Sequence, residues 1–192
     1  MNRTSPLLLS MLLLAAASRA AADASLIAGA FTPARQAPDF ALPGSDGAEL
    51  SLSRYRGKVV VLAFGFTSCP TVCPTTLAAL AEARKKLGAQ GDALQVVYIT
   101  VDPQRDDAER MRSYLARFDP TFIGGTGTAE QLAAVRRDYG IAASTTAGGG
   151  SSSVSHSSFT YLIDRDGRLR ALMPYGHASD DYAHDLGILL EQ

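Results

Sequence analysis

The stretch KVVVLAFGFTSCPTVCPTTLAAL, residues 58–80, holds both cysteines of the chain and decides how the rest is read. Val59 to Phe66 is a continuous apolar run rich in β-branched residues, which predicts a strand buried on both faces. Beyond the cysteines, Leu77, Leu80, Ala81, Ala83, Arg84 and Leu87 fall on one face of a helix, and Gly88 supplies a stop. Cys69 and Cys73, each followed by proline, occupy the turn between strand and helix. A helix N-terminus offers free N–H groups and the positive end of its dipole, so thiols placed there are biased toward the thiolate. Two cysteines at this spacing suit a disulfide, a soft metal or a nucleophile. The stretch alone leaves all three open.

Strands and helices continue to alternate after it. Leu94 to Val101 predicts a second buried strand. RDDAERMRSYLARFDP (105–120) predicts an amphipathic helix with acidic residues in its first turn. TFIGG (121–125) is a short strand. TGTAEQLAAVRRDYG (126–140) is a helix with Thr128 as N-cap and Gly140 as stop. Phe159–Ile163 and Leu169–Met173, joined by DRDG, form a β-hairpin, and SDDYAHDLGILLEQ (179–192) is a helix capped by Ser179. Before the first strand, Phe40, Leu42, Leu50 and Leu52 alternate about GSDG, which predicts a hairpin extension or two short edge segments. Residues 23–36 read as irregular, and the Ser/Gly/Thr-rich residues 142–155 as a flexible loop. The order predicts an α/β domain over 37–192 with a mixed central sheet and helices on both faces.

The first 22 residues resemble a secretory leader: Arg3, an 11-residue apolar stretch from Leu7 to Ala17, then Ala20-Ala21-Ala22. A membrane span needs roughly 20 apolar residues, so cleavage near Ala22 is expected, with an uncleaved anchor as the alternative. The mature chain would hold 170 residues with 16 basic and 19 acidic side chains. That balance favours neither nucleic acid nor an anionic membrane surface as partner, and no later run is long enough to span a bilayer. Export to an oxidising, periplasmic compartment would tend to close the Cys69–Cys73 pair as a disulfide. A function that needs free thiols then requires a reducing partner.

Four blocks in order, FGFTSCPTVCPTTLAAL, YITVDPQRDDAERMRSYLARF, FIGGTGTAEQLAAVRRDYGI and SHSSFTYLIDRDGRLRAL, resemble the Sco/SenC family across roughly residues 37–192. That resemblance implies a thioredoxin-like fold and a copper protein serving assembly of the copper site of cytochrome c oxidase. Its implied partners are the copper-bearing oxidase subunit and a thiol reductant protein. It also implies three copper ligands: Cys69, Cys73 and His156. Chemistry agrees, since two thiolates suit Cu(I) and an added imidazole extends the site to Cu(II). Asp102 matches a family aspartate near the copper site, although an aspartate opening a turn before Pro103 needs no such role. His177 and His184 match no family ligand, and the four methionines form no cluster. Ser68, Thr71 and Ser155 replace residues that are often histidine, aspartate and aspartate in the family, which removes charge that would tune affinity.

Two other readings compete. A thiol–disulfide reductase would use Cys69 and Cys73 as its redox pair, though such enzymes generally carry Cys-x-x-Cys, one residue shorter. The opening APDFALPGSDG with VCPTT also looks like a peroxiredoxin, with Cys73 in the peroxidatic place. That family's Pro-x-x-x-Thr-x-x-Cys frame is broken here, because Phe66 and Pro70 stand where its proline and threonine belong. The peroxide reading fails on that chemistry.

Overall fold

The computed structural model describes residues 25–148 and 151–192; the leader-like segment lies outside the described residues. Strands β1 (Gly29–Gln36), β4 (Val59–Gly65), β5 (Leu94–Thr100), β6 (Ile123–Gly125), β9 (Phe159–Ile163) and β10 (Arg168–Pro174) form one sheet in the order β1-β10-β9-β4-β5-β6. The β4–β5 and β5–β6 pairs are parallel, whereas β4–β9, β9–β10 and β1–β10 are antiparallel. The sheet is therefore mixed, as expected. Every residue of β4 and β5 is buried, which their apolar runs foretold, because a central strand covered on both faces has no polar side to show.

Helices α1 (Val72–Lys86), α2 (Ala108–Leu115), α3 (Ala129–Asp138) and α4 (Ser179–Leu190) divide between the two faces. Successive β4 residues point to opposite sides. Gly65 backs onto Cys73 of α1, while the Phe64 ring meets Tyr139 at the end of α3 with centroids 5.8 Å apart. Gly124 of β6 lies under Met111 and Leu115 of α2, and α4 packs along α1. On the α3 side, the short ladder of β2 (Leu42–Pro43) with β3 (Glu49–Leu50) completes the cover. The predicted N-terminal hairpin is thus present in shortened form. Thr128 caps α3 through a reciprocal capping box with Gln131, and Gly140 at φ +67° ends its turn.

Three local expectations need correction. Residues 29–36 form edge strand β1 rather than irregular chain. Its mostly exposed pattern and Pro33 hid it, and an edge position tolerates both a proline and the register shift between Ala30 and Arg35. The N-terminal chain is also clamped from behind: fully buried Asp185 accepts the backbone N–H groups of Ile27 and Ala28 at 2.8 Å each. The expected flexible loop at 142–155 is a ribbon of β7 (Ala143–Gly148) and β8 (Ser151–His156), paired from Ala143↔His156 to Gly148↔Ser151. Backbone pairing needs no apolar alternation, so composition gave no sign of it. Finally, Ser179 does not cap α4; it is the first helical residue, and its hydroxyl accepts from Lys86.

Candidate metal centre

At the C-terminal end of β4 the chain turns through Phe66–Thr71 and enters α1 at Val72. The Cys69 N–H donates back to the Phe66 carbonyl at 3.3 Å, which tightens the turn. Cys69 Sγ in turn accepts the Cys73 N–H at 3.4 Å. The helix N-terminus therefore serves the sulfur of Cys69, which is half-buried, rather than that of Cys73.

Cys73 lies inside the first turn, buried at 3% exposure, and burial pushes its thiol up to about 12, against a downward pull from the Tyr98 hydroxyl. This corrects the expectation that the helix end favours both thiolates: for Cys73, loss of water outweighs the dipole. Both cysteines are free thiols in this structure.

His156 arrives from the far end of the chain as the last residue of β8. The ribbon that carries it is pinned at its base, with Ser157 N–H donating to Ala142 O at 2.9 Å and Tyr175 N–H to Ser158 O at 2.9 Å. Its ring packs edge-on to Phe66, centroids 5.9 Å apart. Nδ1 lies 2.8 Å from the Ser157 carbonyl, an acceptor only, so Nδ1 carries the proton and donates it. Burial holds the imidazole below the usual histidine range, so the ring is neutral at pH 7. Nε2 is consequently a free lone pair, and it stands 3.7 Å from Cys73 Sγ. A carbonyl fixing one ring nitrogen while the other is left open is the arrangement usual for a metal-binding histidine.

The predicted donors thus meet in pairs, Cys73 with His156 and Cys69 with the N–H of Cys73. Among the described residues no three His, Cys, Asp or Glu side chains are already gathered around one point. Completing a three-donor site requires movement of the Cys69 side chain or its loop. An open cleft of about 370 Å³, lined by Phe66, Cys69, Pro70, Val72, Ser155 and His156, leaves room for it. A larger cleft of about 610 Å³ lies elsewhere, between the ends of α1 and α2, where Arg84 pairs with Asp92 and Asp119. It contains neither thiol nor imidazole.

The other singled-out residues are not brought to the thiols as donors. Asp102 is buried, and its carboxylate pairs with Arg105 while its carbonyl accepts the N–H of Arg105 and Asp106, so it opens a turn. His177 and His184 bond Asp181 and Asp185 on α4. Ser68 accepts from Arg110 at 3.1 Å, and Ser155 pairs with Ser144 at 2.9 Å.

One positioning residue escaped the sequence reading. Asp106 looked like one more acid in the first turn of α2, but the N-cap is Asp107, which accepts from Arg110 N–H. Asp106 is instead fully buried and accepts from Thr67 N–H (2.9 Å), Thr67 Oγ1 (2.5 Å) and Thr100 Oγ1 (2.8 Å). Arg110 closes the clasp from outside, donating to Thr67 Oγ1 at 2.7 Å. The clasp holds the chain two residues before Cys69.

A model of the SCO1/SenC family matches residues 29–191, which takes in every element just described. The chain belongs to that family. It is 38% identical over 133 residues to the mitochondrial SCO2 homolog of Mus musculus, covering 67% of this chain and 52% of that protein. It is 35% identical over 133 residues to the SCO2-like protein of Rickettsia felis, covering 68% and 65%. This SCO1/SenC chain therefore spans about half to two-thirds of the length of these curated relatives. Among solved structures it resembles apo Sco1 from Thermus thermophilus (TM-score 0.79, 35% identity, 88% of this chain and 99% of that one). It also resembles Bradyrhizobium japonicum ScoI with copper bound (TM-score 0.74, 31% identity, 80% and 99%). The likeness bears out the thioredoxin-like fold. The family-model match begins at Gly29, so β1 falls within it.

Proposed function

We propose that this SCO1/SenC protein is an exported copper-binding chaperone for assembly of the copper site of cytochrome c oxidase. Cys69 and Cys73 hold Cu(I) as thiolates, and His156 completes the site through Nε2, which also admits Cu(II). The observation that carries this reading is the open Nε2 lone pair 3.7 Å from Cys73 Sγ. A sulfur–sulfur–nitrogen donor set fits copper and excludes hard cations, which want oxygen. Copper is cargo in this scheme, received at the cleft beside Cys69 and passed to the copper-bearing oxidase subunit. A periplasmic location with residues 1–22 as leader or anchor fits the need for a thiol reductant partner. The relatives' names and the copper-bound neighbour support the reading. Copper stoichiometry of the reduced protein tests it: one copper per chain is expected, and none after Cys69→Ser or Cys73→Ser. Copper retained by both variants would refute it.

The half-buried Cys69 thiol, accepting a helix N–H, favours a second reading as thiol–disulfide reductase of the oxidase's own cysteines. Metal-free reduced protein that reduces a cysteine-pair peptide of that subunit, in the presence of a copper chelator, would support this role.

A further inference from the structure

Tyr98 is near the centre of β5, 2% exposed, with its hydroxyl sealed from solvent and without a hydrogen-bond partner of full geometry among the described residues. An unpaired buried hydroxyl is costly, and such groups in a native core ask for a reason. Tyr55 and Tyr114 also hold unpaired hydroxyls, at 8% and 6% exposure. Tyr98 differs in its neighbour. Gly65 of β4 has no Cβ, and the space one would fill is taken from two sides. A methyl there would overlap the Tyr98 hydroxyl and lie 2.7 Å from Cys73 Sγ. Oxygen and sulfur thus converge on one glycine, in the floor shared by Cys73, His156 and Tyr98.

A protonated thiol is a poor acceptor, whereas a thiolate or a metal-bound sulfur is a good one. The partner that Tyr98 lacks is therefore created when Cys73 loses its proton to a metal. We propose that Tyr98 is a positioning residue that donates its O–H to the Cys73 sulfur in the copper-loaded protein. The glycine at 65 is what permits the approach. Cys73 would then be held from two sides, by the metal it shares with His156 toward the cleft and by the hydroxyl from the core. That hydrogen bond withdraws electron density from the sulfur and fixes its direction toward the metal.

The inference rests on Cys73 being a copper ligand, so the test separates the two. Parent and Tyr98→Phe are loaded with Cu(II), and the sulfur-to-copper charge-transfer band is recorded; the same proteins, metal-free, are equilibrated with a dithiothreitol redox couple. Phenylalanine keeps the ring and removes only the oxygen, and thermal unfolding of the metal-free proteins verifies that both are folded. The variant's band should move to longer wavelength, because a sulfur freed of its hydrogen bond gives up an electron more readily. Copper affinity should fall about 10-fold to 100-fold, the range for residues that support a ligand. The metal-free redox equilibrium should stay in place, because the protonated Cys73 thiol accepts poorly from the hydroxyl. A structural role alone would change unfolding and leave the band in place. A parent band with no shift in the variant overturns the inference while leaving the copper site intact. A parent without any sulfur-to-copper band overturns the copper reading, and the inference with it.

Discussion

Cys73 Sγ and His156 Nε2 lie 3.7 Å apart although 83 residues separate them in the chain. Cys73 is placed by the first turn of α1, and His156 by the register of β8 on β7 and by the Ser157 carbonyl. Their approach depends on both elements meeting the same end of β4.

Replacing His156 with alanine separates the two oxidation states. Cu(I) is content with two thiolates, whereas Cu(II) prefers added nitrogen. His156→Ala should weaken Cu(II) binding far more than Cu(I) binding, by competition against chelators of known affinity. Equal Cu(II) affinity in variant and parent would remove His156 from the site.

Oxidation should abolish binding. Cys69 lies in the turn before α1 with its sulfur 3.4 Å from the Cys73 N–H, and a disulfide between the two leaves no thiolate to bind. Protein oxidised by diamide is expected to hold no Cu(I) and to recover it after reduction. Full copper content in the oxidised form would refute thiolate ligation.

Stability of the metal-free, reduced protein should fall at both pH extremes for two different reasons. Burial lowers the His156 pKa, so the unfolded imidazole takes a proton near its ordinary value of 6.5 while the folded one resists. The unfolded state then binds more protons, and stability drops as pH falls below about 6.5. Burial raises the Cys73 thiol from 9.0 to about 12, so the folded state holds its proton longer. Stability present below pH 9 is lost as pH climbs toward 12. Denaturant midpoints against pH should flatten on the acid side in His156→Gln and on the alkaline side in Cys73→Ala. The buried tyrosines, shifted the same way, supply a residual alkaline slope in both proteins. Parent and variant curves that run parallel would count against these assignments.

Asp106 and Asp107 are adjacent acids with different tasks, and alanine at each should show it. Asp107→Ala removes a helix cap and should cost about 1 kcal/mol with copper affinity unchanged. Asp106→Ala leaves the Thr67 and Thr100 donors unpaired, at about 1–3 kcal/mol, and frees the chain before Cys69. Copper affinity should then fall about 10-fold or more. Chemical unfolding and copper competition on both variants check this. Identical copper affinities would show that the clasp does not position the site.

The sequence alone determined the frame: the buried central strands, the four helices, the late hairpin, and cysteines at a strand-to-helix junction. Those features are written in periodicity, in the apolar run from Val59 to Phe66, and in caps such as Thr128, all of them local. The family and the three expected donors were legible through motif blocks in order. Strand β1 and the ribbon β7–β8 were not, because an edge strand and a polar ribbon are held by backbone pairing, which leaves no hydrophobic signature. Tertiary structure alone decided which sulfur is buried, which ring nitrogen of His156 is open, and that Asp106 points inward. Each of those follows from distance through space rather than along the chain. Burial decides the protonation of Cys73, a carbonyl next to His156 decides its tautomer, and no pattern of residue types encodes either before the sheet is assembled.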